Sequence, residues 1–168
     1  CHECSILAYT CFFTGDSRYA QQFESLLQTW FINPETRMNP HLNYGQSIPG
    51  ICEGRGIGVI DTKAFTYLLD SIGIPNAAGE ISASTLSSIK NWMNEYLDWL
   101  IESPIGIDEA GQKNNHGTWY DVQVVRLAIF TGRKELATEI CETAKGKRIS
   151  VQIEADGSQT MELNRTRS

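Results

Sequence analysis

The tripeptide Phe-Thr-Gly occurs twice, at 13–15 and 130–132, each time between two runs whose apolar residues recur at helical intervals. Glycine just past the last periodic residue is a helix stop, so each copy predicts helix, break, helix. Before the first stop lie Ile6, Leu7, Tyr9, Phe12 and Phe13, from His2 onward. After it, Asp16 or Ser17 caps a second helix through Tyr19, Phe23, Leu26, Leu27 and Trp30. The second copy is "VQVVRLAIFTGRKELATEICETAK", in which Ala137 takes the place of Ala20. Such an antiparallel hairpin cannot bury its apolar face alone, and its repetition predicts an array of hairpins.

Between the copies, "DTKAFTYLLDSI" is apolar at Phe65, Leu68, Leu69 and Ile72, with Gly73 just after it. The longest helix opens at Ser82 or Ser84 and runs through Leu86, Ile89, Trp92, Met93, Tyr96, Leu97 and Leu100 until Pro104 ends it. One segment departs from this period. "RISVQIEADGSQTMEL" alternates Ile149, Val151 and Ile153 and then turns at Asp156-Gly157, which predicts a short β-hairpin near the C-terminus. Two long connections remain, 33–60 and 103–115. Loops longer than about 12–15 residues in a compact domain are usually functional or disordered, and the first mixes aromatics, amides and glycines without charge blocks.

With 41% hydrophobic and 20% charged residues in 168, the chain has the makings of a globular core. Its net charge of −6, with "KGKR" at 145–148 the main basic cluster, argues against nucleic acid and anionic membranes as partners. No stretch approaches the roughly 20 apolar residues of a membrane span, so no membrane insertion is expected. The five cysteines show no zinc-type pairing, and Cys4 and Cys11 sit at helical spacing among apolar neighbours, which favours buried free thiols over disulfides. Neither a His-x-x-x-His metal pattern nor a Gly-x-Ser-x-Gly elbow is present. The chain begins without methionine and with a helix already under way, so an upstream segment is expected.

The chemistry concentrates in "KNNHGTWYD". Asn114 reads as a helix N-cap. Asn115 and His116, an amide and an imidazole at a helix N-terminus, suit the recognition of an anion and the movement of a proton. Asp108 and Glu109 lie on the preceding connection; Glu109 either belongs to a solvated turn or orients and charge-stabilises His116. Arg165 and Arg167, in "ELNRTRS", are either surface charges or a carboxylate clamp, and their equal parity leaves open which would point inward. Asn43, Tyr44, Gln46 and Arg55 in the first connection offer sugar contacts or loop structure. His41 reads as loop structure and His2 as a packing or capping residue. Asn164-Arg165-Thr166 fits a glycosylation pattern that is common by chance.

Taken together, "NPHLNYGQSIPGICEGRGIGVID", "NNHGTWYDVQ" and "ELNRTRS" resemble the alginate lyase superfamily of polysaccharide lyases. The resemblance is nearer to its alginate and glucuronan lyases with an Asn-Asn-His-Gly-Thr-Trp-Tyr signature than to the bacterial mannuronate lyases. It implies an all-α, (α/α) toroid that cleaves a uronic-acid polymer by β-elimination, without cofactor or metal, in the periplasm or outside the cell. On this resemblance Asn115, His116 and Arg165 surround the carboxylate of an anionic polysaccharide substrate. Asn43, Tyr44, Gln46, Arg55, Glu109 and Arg167 are the expected substrate-binding residues. A tyrosine that completes proton transfer would fall just past Ser168, so residues 1–168 are expected to be a partial toroid domain, incomplete at both ends. Two other readings fit the same residues: a noncatalytic carbohydrate-binding helical domain, and an inverting glycosidase. The latter needs carboxylates about 6.5–9.5 Å apart across a cleft, which adjacent Asp108 and Glu109 do not readily supply. The sequence leaves the uronate epimer and the oligomeric state open.

Overall fold

The computed structural model describes residues 1–165. Its helices are α1 (His2–Thr14), α2 (Ser17–Leu27), α3 (Ala64–Ala77), α4 (Ala83–Glu102), α5 (Pro104–Ala110), α6 (Asn115–Thr131), α7 (Lys134–Ala144), α8 (Ser150–Gln152) and α9 (Thr160–Leu163). A wide turn, Gln28–Ile32, extends α2, and a 3-10 segment, Gly56–Lys63, leads into α3.

Both Phe-Thr-Gly stops work as helix stops. Gly15 and Gly132 adopt left-handed conformations, with φ of 68° and 90°, that a side chain would strain, and their amides close the last turns of α1 and α6. Asp16 caps α2 by accepting the Arg18 amide at 3.0 Å, and Ser82 caps α4 by accepting the Thr85 amide at 3.2 Å. The resulting hairpins, α1–α2 and α6–α7, pack through α3 and α4, with α1 on α3 and α6 on both. Their shared core holds Phe23, Leu27, Phe31, Phe65, Leu68, Ile72, Ile89, Trp92, Met93, Leu97, Leu100, Val124 and Leu127. Each such side chain contributes about 1.5–3 kcal/mol on burial, enough together to hold short helices that would not persist alone.

Two expectations need correction. The helix begun near Phe65 does not stop at Gly73 but continues to Ala77, with buried Pro75 inside its last turn. The predicted β-hairpin is absent: the described residues contain no strand beyond an isolated Ile48–Cys52 bridge. The turn itself forms, with the Gly157 amide donating to Glu154 and Glu154 to Ser158. Its flanks are helical because the alternating apolar residues face no sheet; Ile149, Val151 and Ile153 are 56%, 39% and 46% exposed. Instead α7 continues through Lys145–Ile149, which carries Arg148 into the interior. The thiols are free, with Cys4 and Cys11 buried.

A buried polar knot ties α6 to the 3-10 segment and α4. Thr62 Oγ1 lies 2.6 Å from Tyr96 Oη and 2.7 Å from Gln123 Oε1. It also donates toward the Val59 carbonyl at 2.9 Å, so all three side chains depend on one hydroxyl. Burial raises the Tyr96 phenol well above its usual range, so it stays protonated as a donor. Thr62→Val keeps the shape and strands the Tyr96 and Gln123 groups, and we expect it to cost about 1–3 kcal/mol in urea unfolding. An unchanged midpoint would show that the knot does not contribute.

Candidate active site

The short helix α5 exists because Ser103 and Pro104 start it. Ser103 Oγ accepts the Gly106 amide at 3.0 Å, and proline supplies the preset first helical residue. One further turn places Glu109 on the inner side, fully buried, while its neighbour Asp108 is exposed. The chain then reverses over 111–114 and enters α6, where Asn114 Oδ1 accepts the His116 amide at 3.0 Å. Asn114 is therefore the N-cap. The reversal brings the His116 imidazole back onto Glu109, with Nδ1 2.7 Å from Oε1.

Arg165 closes the group from the other side. Its Nη2 lies 2.7 Å from His116 Nε2, and its Nη1 donates to Asn115 Oδ1 at 2.8 Å. A guanidinium only donates, so Nε2 must accept and the imidazole proton sits on Nδ1, facing Glu109. His116 is thereby held as one neutral tautomer between an acid and a cation. Glu109 Oε2 is buried and has no hydrogen-bond partner among the described residues. Burial pushes the Glu109 carboxyl up from its ordinary pKa, against the opposing pull of His116 and Arg165.

The geometry around α6 depends on Arg148, a residue from the "KGKR" cluster that is only 4% exposed. Its Nε and Nη2 each donate to the Asp121 carboxylate at 2.7 Å. Nη1 donates to the Gln112 carbonyl at 2.8 Å and Nη2 to that of Ala110 at 3.0 Å. One guanidinium thus pins the turn between Glu109 and His116 to the first turns of α6. Gly117 leaves room for it: an added Cβ would fall on the Gln112 carbonyl and the Arg148 guanidinium. The glycine in Asn-Asn-His-Gly is there for close approach.

Of the residues singled out in the sequence, Asn115, His116, Glu109 and Arg165 come within hydrogen-bond reach of one another. Glu109 does so as the buried partner of the imidazole rather than as a surface contact for substrate. The first long connection reaches the same neighbourhood where Gly56 packs on Asp108 and the Glu109 backbone. Its polar residues hold the loop: Asn43 Oδ1 accepts Trp99 Nε1 at 2.8 Å, Gln46 Nε2 donates to Asp61 at 3.1 Å, and Arg55 Nε donates to the Gln46 carbonyl at 3.0 Å. Tyr44 is 68% exposed beside His41. Among the described residues none of these four bonds directly to Asn115, His116 or Arg165. Arg167 lies outside the described residues. Sequence reasoning missed Arg148 and Asp121; the one signal for them was an aspartate in the middle of a helix that must be buried, between Tyr120 and Val124. Among the described residues no cluster of His, Cys, Asp and Glu could hold a metal ion, and no helix is long and apolar enough to cross a membrane.

Two outcomes follow from this geometry. Arg148→Lys cannot reach the carboxylate and both carbonyls together and should lose about 1–3 kcal/mol in urea unfolding. Arg148→Met, which leaves Asp121 buried without its cation, should lose about 3–5 kcal/mol, and wild-type midpoints for both would refute the clamp. For Glu109 the raised pKa means that the native state holds the proton more tightly than the unfolded chain. Its stabilising contribution is full below the unfolded pKa of about 4.3 and declines as pH rises through the raised value. Glu109→Gln should therefore lose less stability, relative to wild type, at about pH 7 than at about pH 4. A deficit that stays constant or grows with pH would contradict this.

Comparison with known proteins bears on the fold and the family. The alginate lyase family model matches residues 3–168. None of the curated proteins compared matches the chain. The crystal structure of an alginate lyase from Bacteroides ovatus is similar at 38% identity with a TM-score of 0.92, over 95% of this chain and 43% of that one. This chain therefore spans less than half the length of that relative. Its helical hairpins have the (α/α) toroid architecture, and on the match across nearly all of its residues the chain belongs to the alginate lyase family.

Proposed function

We propose that this chain carries part of the active site of a polysaccharide lyase that cleaves alginate by β-elimination, with glucuronan as the alternative uronan. The observation that carries the reading is the hydrogen-bonded run Glu109–His116–Arg165, buried at Glu109 and His116 and open to solvent at Arg165, with Asn115 beside it. A carbohydrate-binding surface has no need to fix an imidazole tautomer between a carboxylate and a guanidinium. A lyase does, because it must move a proton next to a carboxylate.

The uronate carboxylate seats against Arg165 and the Asn115 amide, whose Nδ2 is the side chain's donor. Their charge and hydrogen bonds lower the cost of placing further negative charge on that group, which makes the C5 proton removable. The C5–H bond breaks, its electrons pass through the enolate-like carboxylate, the C4=C5 double bond forms, and the C4–O4 bond breaks as O4 takes a proton. Once Arg165 turns to the substrate, the Nε2 lone pair of His116 is free to accept the C5 proton or to share a proton with the carboxylate. Glu109 offsets the charge that the imidazole then carries. The family resemblance assigns protonation of O4 to a tyrosine. Work on an extracellular polymer suits an enzyme of the periplasm or the cell exterior.

The test uses the full-length protein on polymannuronate, polyguluronate and glucuronan, with the ultraviolet absorbance of the unsaturated product as readout. His116→Ala should lower turnover by about 10²–10⁴ in protein that still folds, with a lowered unfolding midpoint because buried Glu109 loses its partner. Arg165→Lys should also impair cleavage, since an ammonium cannot make the two-point contact. Failure of the wild type to generate absorbance on any of the three polymers would sink the assignment, and wild-type rates in a folded His116→Ala would remove His116 from it.

A further inference from the structure

The two residues assigned to the substrate carboxylate, Asn115 and Arg165, already hold a carboxylate in this structure, Asn115 through its backbone amide rather than its side-chain Nδ2. Asn114 satisfies the His116 amide with its side chain and the Gly117 amide with its carbonyl, at 3.0 and 3.1 Å. The Asn115 amide, at the positive end of a 17-residue helix, is left over, and it donates to Glu162 Oε1. The other oxygen, Glu162 Oε2, lies 3.5 Å from Arg165 Nη1, the same nitrogen that donates to Asn115 Oδ1. Glu162 therefore touches both the Asn115 residue and the Arg165 guanidinium, as an incoming uronate would have to.

The element that delivers Glu162 is built to yield. α9 is four residues long, follows the Glu154–Ser158 turn, and is tethered there by Thr160 Oγ1 donating to Glu154 Oε1 at 3.1 Å. None of its residues is buried, and Met161 and Leu163 are exposed. Such a segment gives up few packed contacts when it shifts.

We propose that Glu162 is an internal occupant of the uronate-carboxylate seat, displaced when substrate binds, and that it sets the affinity of the site for acidic sugars. The inference rests on the reading of Asn115 and Arg165 as carboxylate donors. Two carboxylates cannot share one guanidinium edge and one helix terminus without repulsion, so every acidic ligand competes with Glu162. The apparent affinity is lowered by the fraction of molecules in which Glu162 is seated. Displacement also releases Arg165, and with it the lone pair of His116 Nε2, so binding and activation of the imidazole become one event.

Binding of a saturated mannuronate disaccharide to the full-length protein, measured by calorimetry, tests this, with β-1,4-mannobiose as the uncharged control. Glu162→Gln keeps the size of the side chain and removes its charge. It should tighten binding of the acid about two- to fivefold, the range expected for one exposed ion pair, and leave mannobiose within about twofold of wild type. Glu162→Asp, one methylene shorter, should fall between wild type and Gln. Weaker or unchanged binding of the acid by Glu162→Gln overturns the proposal, and weaker binding would make Glu162 a positioning residue for Arg165. Equal tightening of both sugars overturns it as well, as does absence of acid binding in both proteins. Product formation by the wild type on polymannuronate is scored separately, so failure of the lyase assignment appears as absent turnover and failure of this proposal as an unchanged or reversed affinity ratio.

Discussion

The ion pair between Arg148 and Asp121 is the contact on which the site's geometry rests. Taking two charges out of water costs several kcal/mol each, and the attraction between them offsets this only when the remaining donors and acceptors are also satisfied. Here the guanidinium meets both carboxylate oxygens and the carbonyls of Ala110 and Gln112. The pair therefore does more than neutralise itself. It joins three parts of the chain, the extension of α7, the α5–α6 turn and α6, at one buried point. Glu109 and His116 lie on either side of the pinned turn, and their 2.7 Å approach depends on its shape.

Helix α6 is the spine of this arrangement, and its polarity is divided along its length. Its first turns present His116, Gly117 and Asp121 to α5 and Arg148; Gln123 reaches Thr62; Tyr120, Val124, Leu127 and Ala128 pack into the core. Each buried polar group has a partner supplied by a different element, so α6 cannot rotate or slide without leaving several of them unsatisfied. The cost of burying polarity near the site is thus converted into positional accuracy for the imidazole.

The electrostatics are local. A chain of net charge −6 does not attract an anionic polymer by its overall field. On the proposed function, attraction comes from the guanidinium of Arg165 and the amide end of α6, while Glu109 is held out of solvent behind His116. Among the described residues the carboxylate in contact with those donors, Glu162, belongs to a short exposed helix, so the site is neutralised by a group that can be moved.

Much of the fold was legible from local signals, because helix stops and caps are decided within a few residues. The paired Phe-Thr-Gly breaks, Asp16, Ser82 and Asn114 all act where the sequence places them. The family motif also located Asn115, His116 and Arg165, and the nearness of Glu109 to His116 could be anticipated because only a tight turn separates them. The tail could not be read in this way. Alternation at Ile149, Val151 and Ile153 looks the same whether those residues face a sheet or water, and only a partner strand makes it a strand. Nor did sequence separate Arg148 from Lys145 and Lys147 in one basic cluster, or Glu162 from other surface acids. Their roles come from partners 27 and 47 positions away, Asp121 and Asn115, and such pairings arise only once the hairpins pack. The sequence by itself thus determined the helices, their caps and the residue types of the site. Tertiary structure decided which charges are buried, which tautomer His116 adopts and which carboxylate sits in the seat, because each depends on neighbours brought together through space rather than along the chain.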